Sequence, residues 1–390
     1  MLWVSLVSAQ VSNNLRREQV TFCYRVTVSN VRFLQIEPTT RCNFTCGFCC
    51  GRYMEQADLP FERFESLLTA HPHVEHVELQ GEGESLLHPR FFDMVKVLRD
   101  RNVKVSVISN GSLISEAHAQ RMVELGIEKV SVSMESAEPE TFRQVRGGKL
   151  EKVIAGLTNL MTEKRKQGSL RPLVGLSITV LKDTQDHLPG IIALYKKLDL
   201  DGGITVQPLS TMPLYEKNYP EGLRQQVLSD HEVDDLWVRY RMHRELRQIQ
   251  KQKDKLKITS FYDELLAGFR TGKRSCPWLE QGLYVNHQGI ATACCMIKDT
   301  ERFRLGVVGT DSNEQILAAR TKLSAELAEG RLPTPCQGCE LGRFSLLTTW
   351  QVMAFAIGGV LRRYSPRALW RRLRPGKPKV RLPLLPPTDS

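Results

Sequence analysis

The sequence predicts an α/β protein with a parallel sheet and helices packed outside it. Two observations carry this expectation. Six strand-like runs, at 31–36, 74–80, 103–109, 127–134, 172–180 and 202–209, are mostly apolar along their length, as strands covered on both faces are. Amphipathic stretches separate them, among them Phe91 to Asp100, Glu116 to Leu125, Leu150 to Lys164 and Leu188 to Lys197, so strand and helix alternate as in βα units. Sheets of this class carry their chemistry beyond the carboxyl ends of the strands, and the motifs below follow those ends.

The chain's 390 residues, 41% of them hydrophobic, suffice for a large core and more than one domain. The start, MLWVSLVSAQ, has no basic region ahead of a short apolar run, which argues against an export signal. Ten cysteines in such a chain are expected as metal ligands in a reducing cytoplasm rather than as disulfides. The net charge of +11 is localised: from Leu361 to Ser390 seven Arg and two Lys face one Asp, leaving +3 for everything upstream. A near-neutral body offers little to hold phosphate, so nucleic acid is not an expected partner. From about Tyr215 to Lys273 the composition mixes Arg, Lys, Glu, Gln and Leu and reads as a solvated helical connector.

Closely after the first strand comes CNFTCGFC, in which Cys42, Cys46 and Cys49 are spaced C-x3-C-x2-C. Three thiolates from one short loop can each hold one iron of a cubane cluster and leave the fourth iron open to substrate or cofactor. A zinc site needs a fourth ligand at tetrahedral geometry, and the nearby Cys50 is poorly placed for it because it adjoins Cys49.

This loop, with aromatic Phe48 just ahead of the last cysteine, resembles the signature of the radical S-adenosylmethionine (SAM) enzymes. The resemblance implies a partial (β/α)6 TIM-like barrel and a SAM-binding [4Fe–4S] cluster on Cys42, Cys46 and Cys49. It further implies reductive cleavage of SAM to a 5'-deoxyadenosyl radical. Later turns match the family's SAM-contacting positions. In QGEGES, Gly81, Gly83 and Glu84 stand where the family has G-G-E-P, although Glu82 lies between the glycines and Ser85 replaces the proline. Ser109 and Asn110 resemble its S-T-N-G turn, Ser133 and Glu135 follow the fourth strand, and Arg146 of FRQVRGG takes the place of an arginine that pairs with the SAM carboxylate. Planar guanidinium suits a carboxylate. Read without the resemblance, these are plain βα turns and a surface ion pair.

Further cysteines occur at Cys276, Cys294, Cys336 and Cys339, the last two as C-x2-C. Four thiolates can ligate every iron of a second cluster or, alternatively, one zinc. Their layout is similar to the SPASM/twitch domains of radical SAM enzymes, in the shorter twitch form, because Ser345 stands where a further cysteine would fall. The resemblance implies a second auxiliary [4Fe–4S] cluster there. Cys23, Cys50 and Cys295 are expected as small buried thiols.

The expected organisation is an N-terminal extension (1–30), a radical SAM core barrel (31–210), a helical connector (211–272), a small twitch/SPASM-like domain (273–343) and an apolar helix with a basic tail (344–390). The 18 uncharged residues from Phe344 to Leu361, followed by RRYSPRALWRR, fit either a helix packed on the barrel or a peripheral contact at the inner face of the membrane. The implied activity is oxidation or modification of a peptide or small-molecule substrate by hydrogen abstraction, with flavodoxin or ferredoxin as the kind of electron donor. Carbon–carbon or carbon–sulfur bond formation is the second choice. A zinc-stapled, membrane-associated binding protein without catalysis is the alternative from another class. No proton donor or acceptor is assigned.

Overall fold

In a computed structural model, the residues described are 31–210, 274–339 and part of the stretch 212–249. The N-terminal extension, most of the helical connector and the apolar tail lie outside them. Among the described residues no helix is long and apolar enough to cross a membrane.

Six strands, β1 (Phe33–Ile36), β2 (His76–Leu79), β3 (Lys104–Ser109), β4 (Lys129–Ser133), β5 (Leu173–Val180) and β6 (Ile204–Pro208), pair in parallel and in chain order. Between them run α1 (Phe61–Ala70), α2 (Phe91–Asp100), α3 (Glu116–Glu124), α4 (Pro139–Arg146), α5 (Leu150–Lys166) and α6 (Leu188–Lys197). The amphipathic stretches become helices at nearly the expected limits. α4 has Pro139 in its first turn and ends on Gly147, whose φ of 68° is open to glycine without strain.

The C-terminal cysteine segment does not make a separate sheet. β7 (Gly282–Val285) pairs in parallel with β1, and β8 (Ile290–Thr292) and β9 (Gly306–Val307) continue antiparallel, giving one open sheet ordered β6-β5-β4-β3-β2-β1-β7-β8-β9. The sheet is a partial barrel that does not close.

Side chains alternate across a strand, so each strand presents two faces. Leu34, Ile36, Val77, Leu79, Val105, Val107, Val130, Val132, Leu176 and Ile178 are buried on the helix side and form one core with the helices. Each such burial contributes about 1.5–3 kcal/mol. The inner face is polar instead: a row in register runs through Tyr284, Gln35, Glu78, Ser106 and Lys129. Towards the carboxyl ends it continues with Ser133, Ser177, Thr179 and Thr205, all half-buried, and the exposed Gln207. A lumen lined this way is built for a polar occupant rather than for packing.

Outside the barrel, α5 clamps the turn after β3. A Cβ on Gly156 of α5 would overlap the Gly111 carbonyl oxygen, and Asn159 donates to the Ile114 carbonyl at 2.9 Å. Alanine normally stabilises a helix interior relative to glycine. Here Gly156→Ala is expected to destabilise the fold by about 1–3 kcal/mol, the cost of overpacking, in urea unfolding under anaerobic conditions.

Candidate active site

The cysteine loop and the turns identified in the sequence lie at the carboxyl ends of β1 to β4. The loop after β1 begins with Glu37, fully buried, whose Oε1 accepts from the Glu82 amide at 2.7 Å. Its Oε2 lies 3.2 Å from the His287 amide and 3.0 Å from the His287 ring Nδ1. This carboxylate therefore joins the first strand, the turn after β2 and the hairpin after β7.

The cysteines follow. Cys42 Sγ accepts from the Phe44 amide at 3.4 Å, Cys46 Sγ lies 3.6 Å from the Arg146 carbonyl oxygen, and Cys49 Sγ lies 3.5 Å from both the Glu82 carbonyl and Oε2. The loop is seated on α4 by two amides, Thr45 to Arg146 O at 3.2 Å and Gly47 to Val145 O at 3.1 Å. Glycines permit the approach: a Cβ on Gly147 would overlap the Thr45 hydroxyl, and one on Gly148 would overlap the Phe44 ring. Burial raises all three thiols, Cys46 to about 11. The three also act electrostatically on one another, and Arg146 lowers Cys42 and Cys46 in opposition.

Gly83 has no room for a side chain, since a Cβ would meet the Thr39 and Arg41 carbonyls, and Glu84 is tied inward. Glu84 Oε1 accepts from Ser109 Oγ at 2.8 Å and from the Leu86 amide at 3.3 Å, and Oε2 accepts from the Asn110 amide at 2.6 Å. The carboxylate thus braces the β2 and β3 turns against each other, and Asn110 reaches Asn43 of the cysteine loop at 2.8 Å. Burial pushes the Glu84 carboxyl up, against these donors.

Arg146 is no surface ion pair. Its side chain is 9% exposed, and Nη1 donates to Glu135 Oε1 at 3.3 Å. The rings of Phe44 and Phe48 each lie 5.9 Å from its guanidinium carbon. Glu135 Oε2 also lies 3.3 Å from Nη1, and Arg146 Nε is buried without a hydrogen-bond partner. Ser133 ends β4 half-buried on the inner face. A buried unpaired polar atom beside three free thiols fits a polar, metal-bearing occupant.

A second set of thiols assembles from three segments. Cys276 opens the helix Pro277–Gln281, Cys294 follows β8, and the Cys339 amide donates to the Cys336 carbonyl at 3.0 Å. Burial first, and then these neighbours, raise Cys276 to about 11 through Cys339, Cys336 to about 12 through Cys276 and Cys339, and Cys294 through Cys295, Cys336 and Cys276. Among the described residues no three His, Cys, Asp or Glu side chains converge closely enough to share one metal ion. Sulfurs around one zinc all stand about 2.3 Å from it, whereas a cubane takes each thiolate on a different iron.

Glu37, Glu82, Tyr215, His287 and Lys298 went unrecognised as site residues in the sequence. Lys298 Nζ lies 2.7 Å from Glu82 Oε1, and the Tyr215 hydroxyl donates to both oxygens of Glu82, at 3.2 and 3.0 Å. Glu82 was visible only as a departure from the usual turn, and nothing local marks the other four.

If Glu84 is a brace, exchanging it for an amide turns an NH2 group towards donors. Glu84→Gln is expected to lower folding stability by about 2–3 kcal/mol, read as the denaturation midpoint of metal-free protein.

Residues 36–194 match the model of the radical SAM superfamily. A tungsten-containing aldehyde ferredoxin oxidoreductase cofactor-modifying protein of Pyrococcus furiosus is 26% identical over 193 residues, 47% of this chain and 53% of that protein. A probable GTP 3',8-cyclase of Methanococcus aeolicus is 28% identical over 196 residues, 48% of this chain and 62% of that protein. The chain thus spans between half and two thirds of the length of these curated relatives. Among solved structures, Streptococcus suis SuiB bound to the precursor peptide SuiA aligns with a TM-score of 0.59 at 14% identity, covering 81% of this chain and 71% of that one. Native anSMEcpe with bound AdoMet and a Cp18Cys peptide aligns at 0.58 and 17% identity, covering 88% and 99%. At such identities the likeness is one of fold. The cysteine loop and the turns after β2, β3 and β4 all lie inside the segment, residues 36–194, that matches the radical SAM superfamily.

Proposed function

We propose that the chain is a radical SAM enzyme that oxidises or otherwise modifies a peptide or small-molecule substrate by hydrogen abstraction. The observation that carries this is the joining of Cys42, Cys46 and Cys49 with the buried, partly unpaired Arg146 at one end of a polar lumen. When bound, a [4Fe–4S] cluster and SAM supply one electron and a 5'-deoxyadenosyl radical. The protein's own part is to hold and shield. The three thiols would hold a cluster by three of its irons, which would leave one iron open to SAM. Arg146, with Nε unpaired, offers a guanidinium edge to a carboxylate, and Glu135 fixes its plane. Ser109 and Asn110, locked by Glu84, and Ser133 on β4 would border SAM; Gly81 and Gly83 let the β2 turn come close to it.

Cys276, Cys294, Cys336 and Cys339 would hold a second [4Fe–4S] cluster in an auxiliary domain of the twitch kind, suited to taking the electron left on an oxidised substrate. Two neighbours of this fold, SuiB and anSMEcpe, are described in complex with peptides, which supports a peptide substrate and a maturase-like role. The GTP 3',8-cyclases among the relatives support a second reading, bond formation within a small molecule. The half-buried hydroxyls of Ser177, Thr179 and Thr205 suit a polar substrate in either case. A flavodoxin or ferredoxin would supply electrons, in the cytoplasm. The uncharged stretch from Phe344 to Leu361 and the basic tail after it would add a peripheral membrane contact.

Each thiolate is the sole protein ligand of its iron, so Cys46→Ala is expected to abolish 5'-deoxyadenosine formation from SAM under dithionite, while Cys50→Ala retains it. A normal yield from Cys46→Ala would overturn the function proposed.

Iron analysis addresses the second set. Two cubanes imply about eight irons per chain. Replacing Cys336 and Cys339 together is expected to leave about half of the iron and to preserve SAM cleavage.

A further inference from the structure

Between the cysteine loop and the C-terminal segment lies a buried ion pair. Lys298, four residues beyond Cys294, reaches into the barrel with a side chain only 6% exposed and meets Glu82, 9% exposed, at 2.7 Å. The ammonium also stands 5.0 Å from the centre of the Tyr284 ring on β7 and 5.7 Å from that of Tyr215. The Tyr215 hydroxyl donates to both oxygens of the Glu82 carboxylate, at 3.2 and 3.0 Å. The other oxygen of the same carboxylate is 3.5 Å from Cys49 Sγ.

This placement has an electrostatic consequence. An ionised carboxylate beside a ligand sulfur opposes the negative charge of the thiolate, and opposes still more the electron that a cluster accepts. In a site shielded from water this repulsion is poorly screened. A cation fixed at 2.7 Å from the other carboxylate oxygen opposes it. A pair buried at such cost is weak evidence for stability, so its geometry calls for another role.

Resting on the radical SAM reading above, we propose that Lys298 is a positioning residue that neutralises Glu82 and so sets the reduction potential of the cluster on Cys42, Cys46 and Cys49. Through it, the segment that carries Cys294 reaches the site of SAM cleavage. Neither residue touches the reacting atoms; each acts through charge next to Cys49.

The test is an EPR-monitored redox titration of the full chain, following the reduced-cluster signal that changes when SAM is added. Lys298→Met is expected to shift that midpoint to more negative potential and Glu82→Gln to less negative potential. The double variant returns close to the parent, and Lys298→Arg stays near it, all with full iron content. An unshifted midpoint in Lys298→Met, or single variants that shift in the same direction, would overturn the proposal. If Lys298→Met loses iron but the double variant keeps it, charge cancellation is supported; if both lose it, the pair is merely structural and the proposal fails. A parent protein with no SAM-responsive signal would instead refute the reading on which it rests.

Discussion

The site depends on a buried guanidinium set among thiols. Arg146 lies at the end of α4, where Gly147 and Gly148 turn the chain without side chains and let the cysteine loop come down on it. Remove the cation and Cys46 would face Glu135, and Cys42 Glu84, without the charge that opposes them. Two amides from the loop and the Cys46 thiol meet the last carbonyls of α4, so the same helix end supplies both charge and shape. Glu84 plays a matching part across the site, spending both its oxygens on holding two turns in place.

Much of this was legible in the sequence, for local reasons. The limits of α2 and α6 follow from an apolar stripe at helical spacing, and the strands from short apolar runs, since both signals are carried by neighbouring residues. The cysteine spacings singled out both thiol sets, because they can be read from neighbouring residues alone. The turns after β2, β3 and β4 were recognised by composition, but composition could not show that Glu84 faces inward to Ser109 and Asn110.

What escaped sequence reading are partnerships across the fold. Glu37 and His287 lie 250 residues apart and meet because β7 docks on β1. Tyr215 reaches Glu82 from 133 residues downstream. No periodicity links such pairs. The three-stranded extension β7, β8 and β9 was hidden for another reason: its strands have four, three and two residues, too short for alternation to register, and the segment drew notice for its cysteines alone. Its merger with the barrel sheet makes the auxiliary segment an architectural continuation of the first strand.

That merger bears on the order in which the molecule can assemble during synthesis. β1 is made well before β7, the strand that covers its outer edge, in register from Phe33 with Gly282 to Ile36 with Val285. At about 5–20 residues per second, the ribosome needs on the order of 10–50 s to supply the intervening chain. Over that interval the nascent protein carries an uncovered edge, a hazard for unwanted pairing. Glu37 also waits without His287, so the loop that bears Cys42, Cys46 and Cys49 gains this support only once the β7 hairpin has been made. A product truncated before β7 would keep the three thiols yet lack both the strand beside β1 and the imidazole that meets Glu37.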